Sequence, residues 1–168
     1  MQKTLVTWGA NFIFCEKKED FIKSVSHLAT EKGWDNIHCV DDSIQGLLEQ
    51  ANIPFSSEEK DFLNCNVGIT LCEYLVARTG SIISSSRQKY GRRLPVYSNI
   101  HVVVANTSQL VYNLKDAYKL LRKKYETNFP SQVTLITGPS QTADIEKTLV
   151  KGAHGPKELF LYLIDDVI

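Results

Sequence analysis

Short apolar runs typical of strands alternate with segments of helical period, and this alternation restricts the possible folds more than any other feature. Residues 12–15 are an apolar run and residues 100–105 are apolar apart from His101, whereas residues 16–34 and 110–125 place apolar side chains three and four positions apart. A helical period indicates an amphipathic helix, and a short apolar run indicates a buried strand. The sequence therefore predicts the α/β class, with one domain over residues 1–168 and a mixed, mostly parallel sheet flanked by helices.

The rest of the chain predicts further elements of the same kinds. Residues 71–77 predict a short helix or turn, which Arg78-Thr79-Gly80 interrupts. Asp41, Asp42 or Ser43 can cap a helix that runs through Leu48. We expect the run at residues 133–136 to be a buried strand. The other strand-like runs are residues 36–40, 67–70, 81–84 and 159–164.

The charge balance excludes some classes of protein. Lysine and arginine together number 19, as do aspartate and glutamate, so the formal net charge is zero. A general nucleic-acid binder or a protein attracted to acidic membranes carries a basic surplus. No apolar run approaches the roughly 20 residues of a membrane helix, and residues 1–8 lack the features of a signal peptide. The sequence therefore predicts a cytoplasmic protein that neither binds nucleic acid nor inserts into a membrane.

The four cysteines are dispersed along the chain. Cys15, Cys39, Cys65 and Cys72 form no Cys-x-x-Cys pair, and none has zinc-site spacing to a histidine. Iron–sulfur clusters need closely grouped cysteines. We therefore expect reduced, mostly buried thiols, and neither a metal nor a cluster bound by this chain.

The most informative loop follows the strand-like run at residues 133–136. Gly138 and Pro139 end that run in a turn, and Ser140 or Thr142 can cap a short helix after it. Small and hydroxylated residues at such a junction can also hold an anion or a polar ligand. Both interpretations stay open at this point, because the same hydroxyls can satisfy their own backbone instead.

Three ionisable residues near this loop are candidates for proton transfer. Asp144 and Glu146 can act as acid or base, or they can lie at the positive end of a helix, where carboxylates are favoured. His154, within residues 152–156, titrates near neutral pH and can form a second wall of the loop. The alternative for His154 is a structural histidine that bonds a backbone carbonyl. Asp144 and His154 are the candidate catalytic residues.

Three stretches between about residues 65 and 165 form one pattern. They are Gly68-Ile69-Thr70 with Ala77-Arg78-Thr79-Gly80-Ser81-Ile82, then Arg93-Leu94-Pro95 with Ile100-His101-Val102-Val103-Val104, then Thr137-Gly138-Pro139-Ser140-x-Thr142-Ala143-Asp144-Ile145-Glu146 with Gly152-x-His154-Gly155-Pro156. This pattern resembles the LUD domain family and, within it, the lactate utilization protein C group. The N-terminal third supports the resemblance only by its alternation of strands and helices.

The resemblance implies a fold similar to the sugar-phosphate isomerase and CoA-transferase-like α/β group. It also implies a role in oxidising lactate to pyruvate beside partner subunits that carry iron–sulfur clusters, with no cofactor on this chain. We further expect that the chain can form a homo-oligomer. Glu73 and Arg93 have a second interpretation as solvated surface residues. The implied binding residues for a small anion are Gly138, Ser140, Thr142, Asp144, His154, Glu73, Arg78, Thr79, Gly80 and Arg93.

One residue departs from the family pattern. The resemblance implies that the family usually has a glutamate where this chain has Arg78, and a glutamate in a comparable setting of the CoA-transferase relatives can act as nucleophile. Arginine stays protonated and offers only donors, so it cannot replace that nucleophile. It can instead bind a carboxylate or phosphate with two parallel hydrogen bonds.

Three function classes follow from these observations. Two of them bind a ligand or a partner, and the third does not. The first is an accessory subunit that binds a small anion or a redox partner. The second is a stand-alone enzyme of the sugar-phosphate isomerase or CoA-transferase-like class, which acts on a phosphorylated or carboxylated small molecule. The third is a regulatory or structural domain that has kept the fold and lost the ligand.

Overall fold

Helices alternate with strands in the computed structural model, which describes residues 1–143 and 149–166. The helices are α1 (Gln2–Thr7), α2 (Lys18–Lys32), α3 (Asp42–Gln50), α4 (Leu94–Tyr97) and α5 (Leu114–Tyr125), with 3₁₀ turns at Glu59–Asn64 and Thr107–Gln109. The strands are β1 (Asn11–Cys15), β2 (Ile37–His38), β3 (Val67–Thr70), β4 (Tyr74–Val76), β5 (Ser81–Ser85), β6 (Ile100–Asn106), β7 (Leu110–Val111), β8 (Val133–Ile136), β9 (Gln141–Ala143), β10 (Leu149–Lys151) and β11 (Glu158–Ile164).

A parallel sheet lies at the centre of the fold, with the strand order β1-β11-β6-β3-β2. The middle strand, β6, is buried on both faces, as is its neighbour β11. Val102 lies opposite Phe160, and Val104 lies opposite Tyr162. A strand buried on both faces needs apolar side chains at successive positions, which explains the unbroken apolar runs in the sequence.

Helices α2 and α3 cover one face of the central sheet. Phe21 and Val25, four positions apart on α2, are completely buried and lie on the same side of the helix. The Phe21 ring meets the Tyr162 ring edge-on, with 5.0 Å between the centroids. Leu48 of α3 belongs to the same apolar cluster. The apolar stripe that predicted α2 is therefore the surface that packs on the sheet.

A second sheet, of order β7-β4-β5-β8, covers the other face. Leu75 of β4 belongs to the apolar cluster that contains Val103 of the central sheet. Its neighbour Val76 points the other way and belongs to a cluster with Leu121 of α5. The layers are therefore helices, central sheet, second sheet and α5.

The predicted α/β class, with mostly parallel strands flanked by helices, is confirmed. Most predicted strands and the helix expected over residues 16–34 appear close to their expected positions. In residues 1–143 and 149–166, no helix combines the length and the apolarity needed to cross a bilayer.

Two predictions of helical structure were wrong. Residues 141–143, where Ser140 could cap a helix, form β9 and pair antiparallel with β10, so that Thr142 lies opposite Val150. The ladder uses the backbone groups that a helix cap would have served. The alternative helix capped by Thr142 would fall on residues 144–148, which lie outside the described residues. Residues 71–77, expected as a helix or turn, contain β4, because pairing with β5 and β7 satisfies their backbone.

Two predicted boundaries or environments also changed. The helix expected over residues 110–125 begins at Leu114, because Leu110 and Val111 form β7 beside β4. The run at residues 133–136 is a strand, as predicted, but it is only partly buried and Leu135 is 41% exposed. It lies at the edge of the second sheet rather than in the centre of the fold.

The cysteines are buried free thiols, as predicted. Burial is the largest cause that raises the pKa of Cys15 and Cys65 to about 11 and that of Cys39 to about 12. Burial also raises the pKa of Cys72. Since the thiolate is the nucleophile and the metal ligand, these thiols are unreactive near neutral pH.

Candidate functional site

Two loops lie together beside the amino ends of β1 and β11, and we call them the double loop: residues 137–141 and 152–156. Ser140 joins them twice. Its N–H donates to the Pro156 carbonyl at 2.8 Å, and its own carbonyl accepts from the Gly152 N–H at 2.9 Å. The ladder of β9 and β10 continues from this junction. The two parts of the third sequence stretch are therefore one structural unit.

Gly138 allows the first loop to approach the segment between α1 and β1. A Cβ at Gly138 would lie 2.8 Å from the carbonyl oxygen of Trp8, closer than a carbon and a backbone oxygen can come. A Cβ at Gly155 would likewise lie 3.2 Å from the Cβ of Ser140. Gly138 and Gly155 thus have a packing role, because they let backbone segments meet closely.

The turn between β4 and β5, residues 77–80, forms what we call the hairpin tip. The Gly80 N–H donates to the Val76 carbonyl at 2.9 Å, which closes the turn. Gly80 has φ of 66°, a conformation that other residues adopt only with strain. Arg78 is exposed at this tip, and its backbone N–H donates to the Tyr112 carbonyl at 3.1 Å. The turn therefore presents the Arg78 guanidinium to solvent.

A chain of hydroxyls connects the hairpin tip to the double loop. The buried Ser81 hydroxyl donates to Thr79 Oγ1 at 2.8 Å and lies 2.9 Å from Thr137 Oγ1. Since a hydroxyl has one proton, Thr137 must be the donor to Ser81. The Thr79 oxygen then accepts from Ser81, so its own proton is free to be donated outward. Such chains polarise along their length, which makes Thr79 a better donor to an anion.

The backbone of the double loop offers fewer donors than its sequence suggests. The Ser140 N–H is already bonded to Pro156, and residues 141–143 pair with residues 149–151. Side chains around the double loop can supply further donors to an anion. Those available are the hydroxyls and the exposed basic residues Arg78, Lys151, His154 and Lys157.

A cleft of about 450 Å³ adjoins the first loop. It is lined by Trp8, Leu135, Thr137, Gly138, Pro139 and Gln141. Trp8 is 56% exposed, so its indole is accessible beside the Thr137 end of the hydroxyl chain. The cleft combines apolar surface with a hydroxyl and an amide, which are the features of a small-ligand site.

Glu73 lies at the other end of the second sheet from the hairpin tip. Its side chain is fully buried and accepts three hydrogen bonds, from Ser85 Oγ at 2.5 Å, Tyr125 OH at 2.7 Å and Lys124 Nζ at 2.8 Å. Burial lowers the pKa of Lys124, but the hydrogen bond and charge of Glu73 raise it by more. Glu73 thus fixes the end of α5 to the sheet, and its surface interpretation is wrong.

Arg93 is held away from the double loop by other contacts. Its guanidinium lies over the Phe62 ring, 4.6 Å from the centroid, and forms an ion pair with Glu59. Neither partner belongs to the double loop or the hairpin tip. A ligand role for Arg93 therefore stays a prediction without a geometric link to the other candidates.

The structure describes the position of His154 but not that of the other candidate catalytic residue, Asp144. His154 is exposed on the second loop, two residues before the Pro156 carbonyl that holds Ser140. Asp144 and Glu146 lie outside the described residues. Thr142 is half-buried in β9. The roles proposed for these residues stay predictions.

The sequence pattern of the LUD domain matches residues 1–164 of the chain. The chain belongs to the LUD domain family. Among curated relatives of this LUD domain, an uncharacterized protein of Neisseria meningitidis is 35% identical over 103 residues, which are 61% of this chain and 44% of the relative. Lactate utilization protein C of Bacillus subtilis is 33% identical over 103 residues, which are 60% of this chain and 43% of that protein. The matched part of the chain spans less than half the length of these relatives.

A solved structure shares the fold of this LUD domain. The crystal structure of a DUF162 family protein from Deinococcus radiodurans superimposes with a TM-score of 0.66 over 97% of this chain and 93% of that chain. The sequence identity is 16%. The similarity therefore concerns the fold.

Sequence reasoning missed two residues of this LUD domain that its structure places at the junction. Ser81 and Thr137 lie within the quoted stretches, but they were not among the candidate binding residues. Ser81 follows Gly80 directly, and Thr137 precedes Gly138. A signal for both was available, because each hydroxyl sits at a strand end beside a turn glycine.

Proposed function

We propose that this LUD domain is the cluster-free subunit of a cytoplasmic lactate-oxidising system, and that it binds a small carboxylate between the hairpin tip and the double loop. The observation that supports this is the 2.9 Å contact between the hydroxyls of Ser81 and Thr137. Two stretches of the family pattern that are far apart in sequence meet there. Both stretches therefore contribute side chains to one place on the second sheet.

The donors at this junction suit a carboxylate. The Thr79 hydroxyl has a proton to donate, because its oxygen accepts from Ser81. Arg78, on the same turn, offers a planar fork that matches the two oxygens of a carboxylate. The exposed Lys151 and Lys157 add positive charge around the double loop. Lactate and pyruvate both carry the group that this set recognises.

Arg78 favours binding over covalent catalysis. An acyl or thioester intermediate needs a nucleophile at the tip, and a guanidinium that is always protonated is not one. The same charge holds a carboxylate in the ground state. We therefore assign Arg78 the role of ligand anchor.

Oxidation of lactate to pyruvate releases two electrons and two protons, so the system needs an electron acceptor. The similarity to lactate utilization protein C of Bacillus subtilis supports placing this chain in such a system. The cysteines described above are buried thiols of raised pKa. In this proposal the iron–sulfur clusters therefore belong to partner subunits.

Co-expression with the cysteine-rich proteins encoded by neighbouring genes tests the proposal. We expect the chain to co-purify with them and to raise the rate at which lactate reduces an electron-accepting dye. Arg78→Ala should lower that rate, whereas Arg87→Ala, an exposed arginine bonded to the Asn128 carbonyl at the other end of β5, should not. Unchanged lactate oxidation without the chain, together with no co-purification, contradicts the proposal.

The alternative of a stand-alone enzyme makes a different prediction. The isolated chain would then turn over a sugar phosphate or an acyl-CoA with saturation kinetics, and His154→Ala would abolish that turnover. Such a result would replace the accessory role with catalysis at the double loop.

A further inference from the structure

A second cleft, of about 580 Å³, lies at the opposite edge of the central sheet beside β2. Its walls come from the segment after α2, from β2 and from residues 54–64. The Ser56 N–H donates to the Ile37 carbonyl at 2.9 Å, and the Cys39 N–H donates to the Ser56 carbonyl at 3.0 Å. These bonds fix the outer wall to the edge strand, so the cleft is part of the folded framework.

The charged side chains that line this cleft, apart from a histidine, are two carboxylates, Asp35 and Asp61. Asp35 Oδ1 accepts from Asn66 at 2.5 Å, and Asp61 Oδ2 accepts from Ser56 Oγ at 2.6 Å. Each bond holds one oxygen and orients the other. Among the residues that the structure describes, neither lysine nor arginine lines the cleft, so its field favours a positive ligand.

The histidine of the cleft is His38, which is 4% exposed. Burial lowers its pKa, and the charges of Glu59 and Asp61 raise it by less, so the ring is neutral near pH 7. Its Nδ1 atom has no hydrogen-bond partner within residues 1–143 and 149–166. In a neutral imidazole one ring nitrogen donates and the other accepts, and the uncharged ring does not repel a cation.

Part of the remaining wall is apolar, beside the polar residues Asn36, Ser56 and Asn64. Trp34, Pro54 and Phe55 line the cleft. Aromatic faces attract ammonium and guanidinium groups, and an apolar wall accommodates the carbon chain to which such a group is attached. Carboxylates, a neutral imidazole and aromatic rings can all contact the same kind of ligand, an organic cation.

We propose that this cleft binds a small organic cation, namely a primary amine or a guanidine on a short apolar chain. The charged head lies toward Asp35 and Asp61, and the chain packs against Trp34 and Phe55. The site shares no residue with the double loop or the hairpin tip. It is therefore independent of the proposed lactate function.

Calorimetric titration with three ligands of equal chain length tests the proposal. We expect n-butylammonium to bind with saturation, 1-butanol to bind at least about tenfold more weakly, and butyrate not to bind, because their apolar chains are similar and their head groups differ in charge. Asp35→Asn and Asp61→Asn keep an oxygen that accepts from Asn66 or Ser56. Each should weaken the amine about fivefold, as expected for a partly exposed ion pair. Asp42→Asn, whose carboxylate pairs with Lys89 outside the cleft, is the matched control and should bind normally.

Fluorescence locates the binding event. The chain has two tryptophans, so Trp8→Phe leaves Trp34 as the reporter, and the amine should change its emission. No saturable binding of n-butylammonium up to about 10 mM would overturn the proposal. Equal affinity for butyrate, or unchanged affinity in a folded variant with both aspartates replaced, would overturn it as well.

Discussion

The Thr137 hydroxyl lies 2.9 Å from the Ser81 hydroxyl, and this contact joins residues 56 positions apart in the sequence. It follows from the register of the second sheet, where Ile82 of β5 is opposite Ile136 of β8. The residues just beyond that pair must then meet. Ser81 directly follows the hairpin tip, and Thr137 is the first residue of the double loop. The pairing of β5 with β8 therefore brings the two parts of the candidate site together.

Gly138→Ala should destabilise the protein. The new Cβ would meet the Trp8 carbonyl oxygen at 2.8 Å, and we expect a loss of about 1–3 kcal/mol in the free energy of unfolding. Gly46→Ala is the control, since Gly46 lies in α3 with no atom within 4 Å of the added Cβ. The control should gain about 0.5–1 kcal/mol from helix propensity. Urea denaturation of both variants measures this, and equal stabilities would contradict the close approach.

Glu73→Gln should destabilise the junction of α5 with the second sheet. The amide keeps the shape of the side chain but removes the charge that accepts from Ser85, Tyr125 and Lys124. We expect a loss of about 2 kcal/mol, moderated because Lys124 is half exposed. Glu31→Gln, on the exposed face of α2, should change stability by less than about 0.5 kcal/mol. Indistinguishable denaturation curves for the two variants would argue against a structural Glu73.

His101 should make the protein less stable in mild acid. Its ring is fully buried, its Nε2 lies 2.9 Å from Thr70 Oγ1, and burial lowers its pKa from 6.5 to about 3. Between these values the unfolded chain binds a proton that the folded chain does not, so stability rises with pH. The contribution of the neutral His101 ring to the free energy of unfolding is complete above pH 6.5 and is lost as the pH falls toward about 3.

His101→Gln tests this dependence. The slope of unfolding free energy against pH between about 4.5 and 6.5 should fall by up to about 1.4 kcal/mol per pH unit, the value for one proton. His38, whose pKa is also lowered, still contributes its part of the pH dependence of stability in the variant. An unchanged slope would show that His101 accepts its proton in the folded state.

The thiols should resist modification while the protein is folded. Cys15, Cys39, Cys65 and Cys72 are each at most 8% exposed. Reaction with a thiol-specific disulfide reagent at about pH 8 should be slow for all of them in buffer. All four should react at once in denaturant, which provides the control. Rapid reaction of any native thiol would contradict its burial.

The sequence indicated the central elements well because their signals are local. Phe21 and Val25 lie four apart on α2, and residues 102–105 of β6 are an unbroken apolar run. Both patterns indicate residues that are buried in or against the central sheet. The α/β class follows from their alternation, and the structure confirms it.

The errors concern elements whose state depends on distant partners. Residues 141–143 carry the hydroxyls of a helix start, yet pairing with β10 makes them a strand. Strand β4 has only three residues, which is too short for a period to show. The candidate site was incomplete for the same reason. That Ser81 faces Thr137 is set by the β5–β8 register, which no local pattern specifies.

Titration with L-lactate, followed by the amide NMR signals of Gly80 and Gly138, tests the central claim most directly. The account predicts saturable shifts at both glycines and a roughly tenfold loss of affinity in Arg78→Ala, the effect of losing a two-pronged carboxylate contact. Arg87→Ala should bind as the natural protein does. Absence of shifts at either glycine, or equal affinity in Arg78→Ala, would contradict a carboxylate site at the hairpin tip and the double loop.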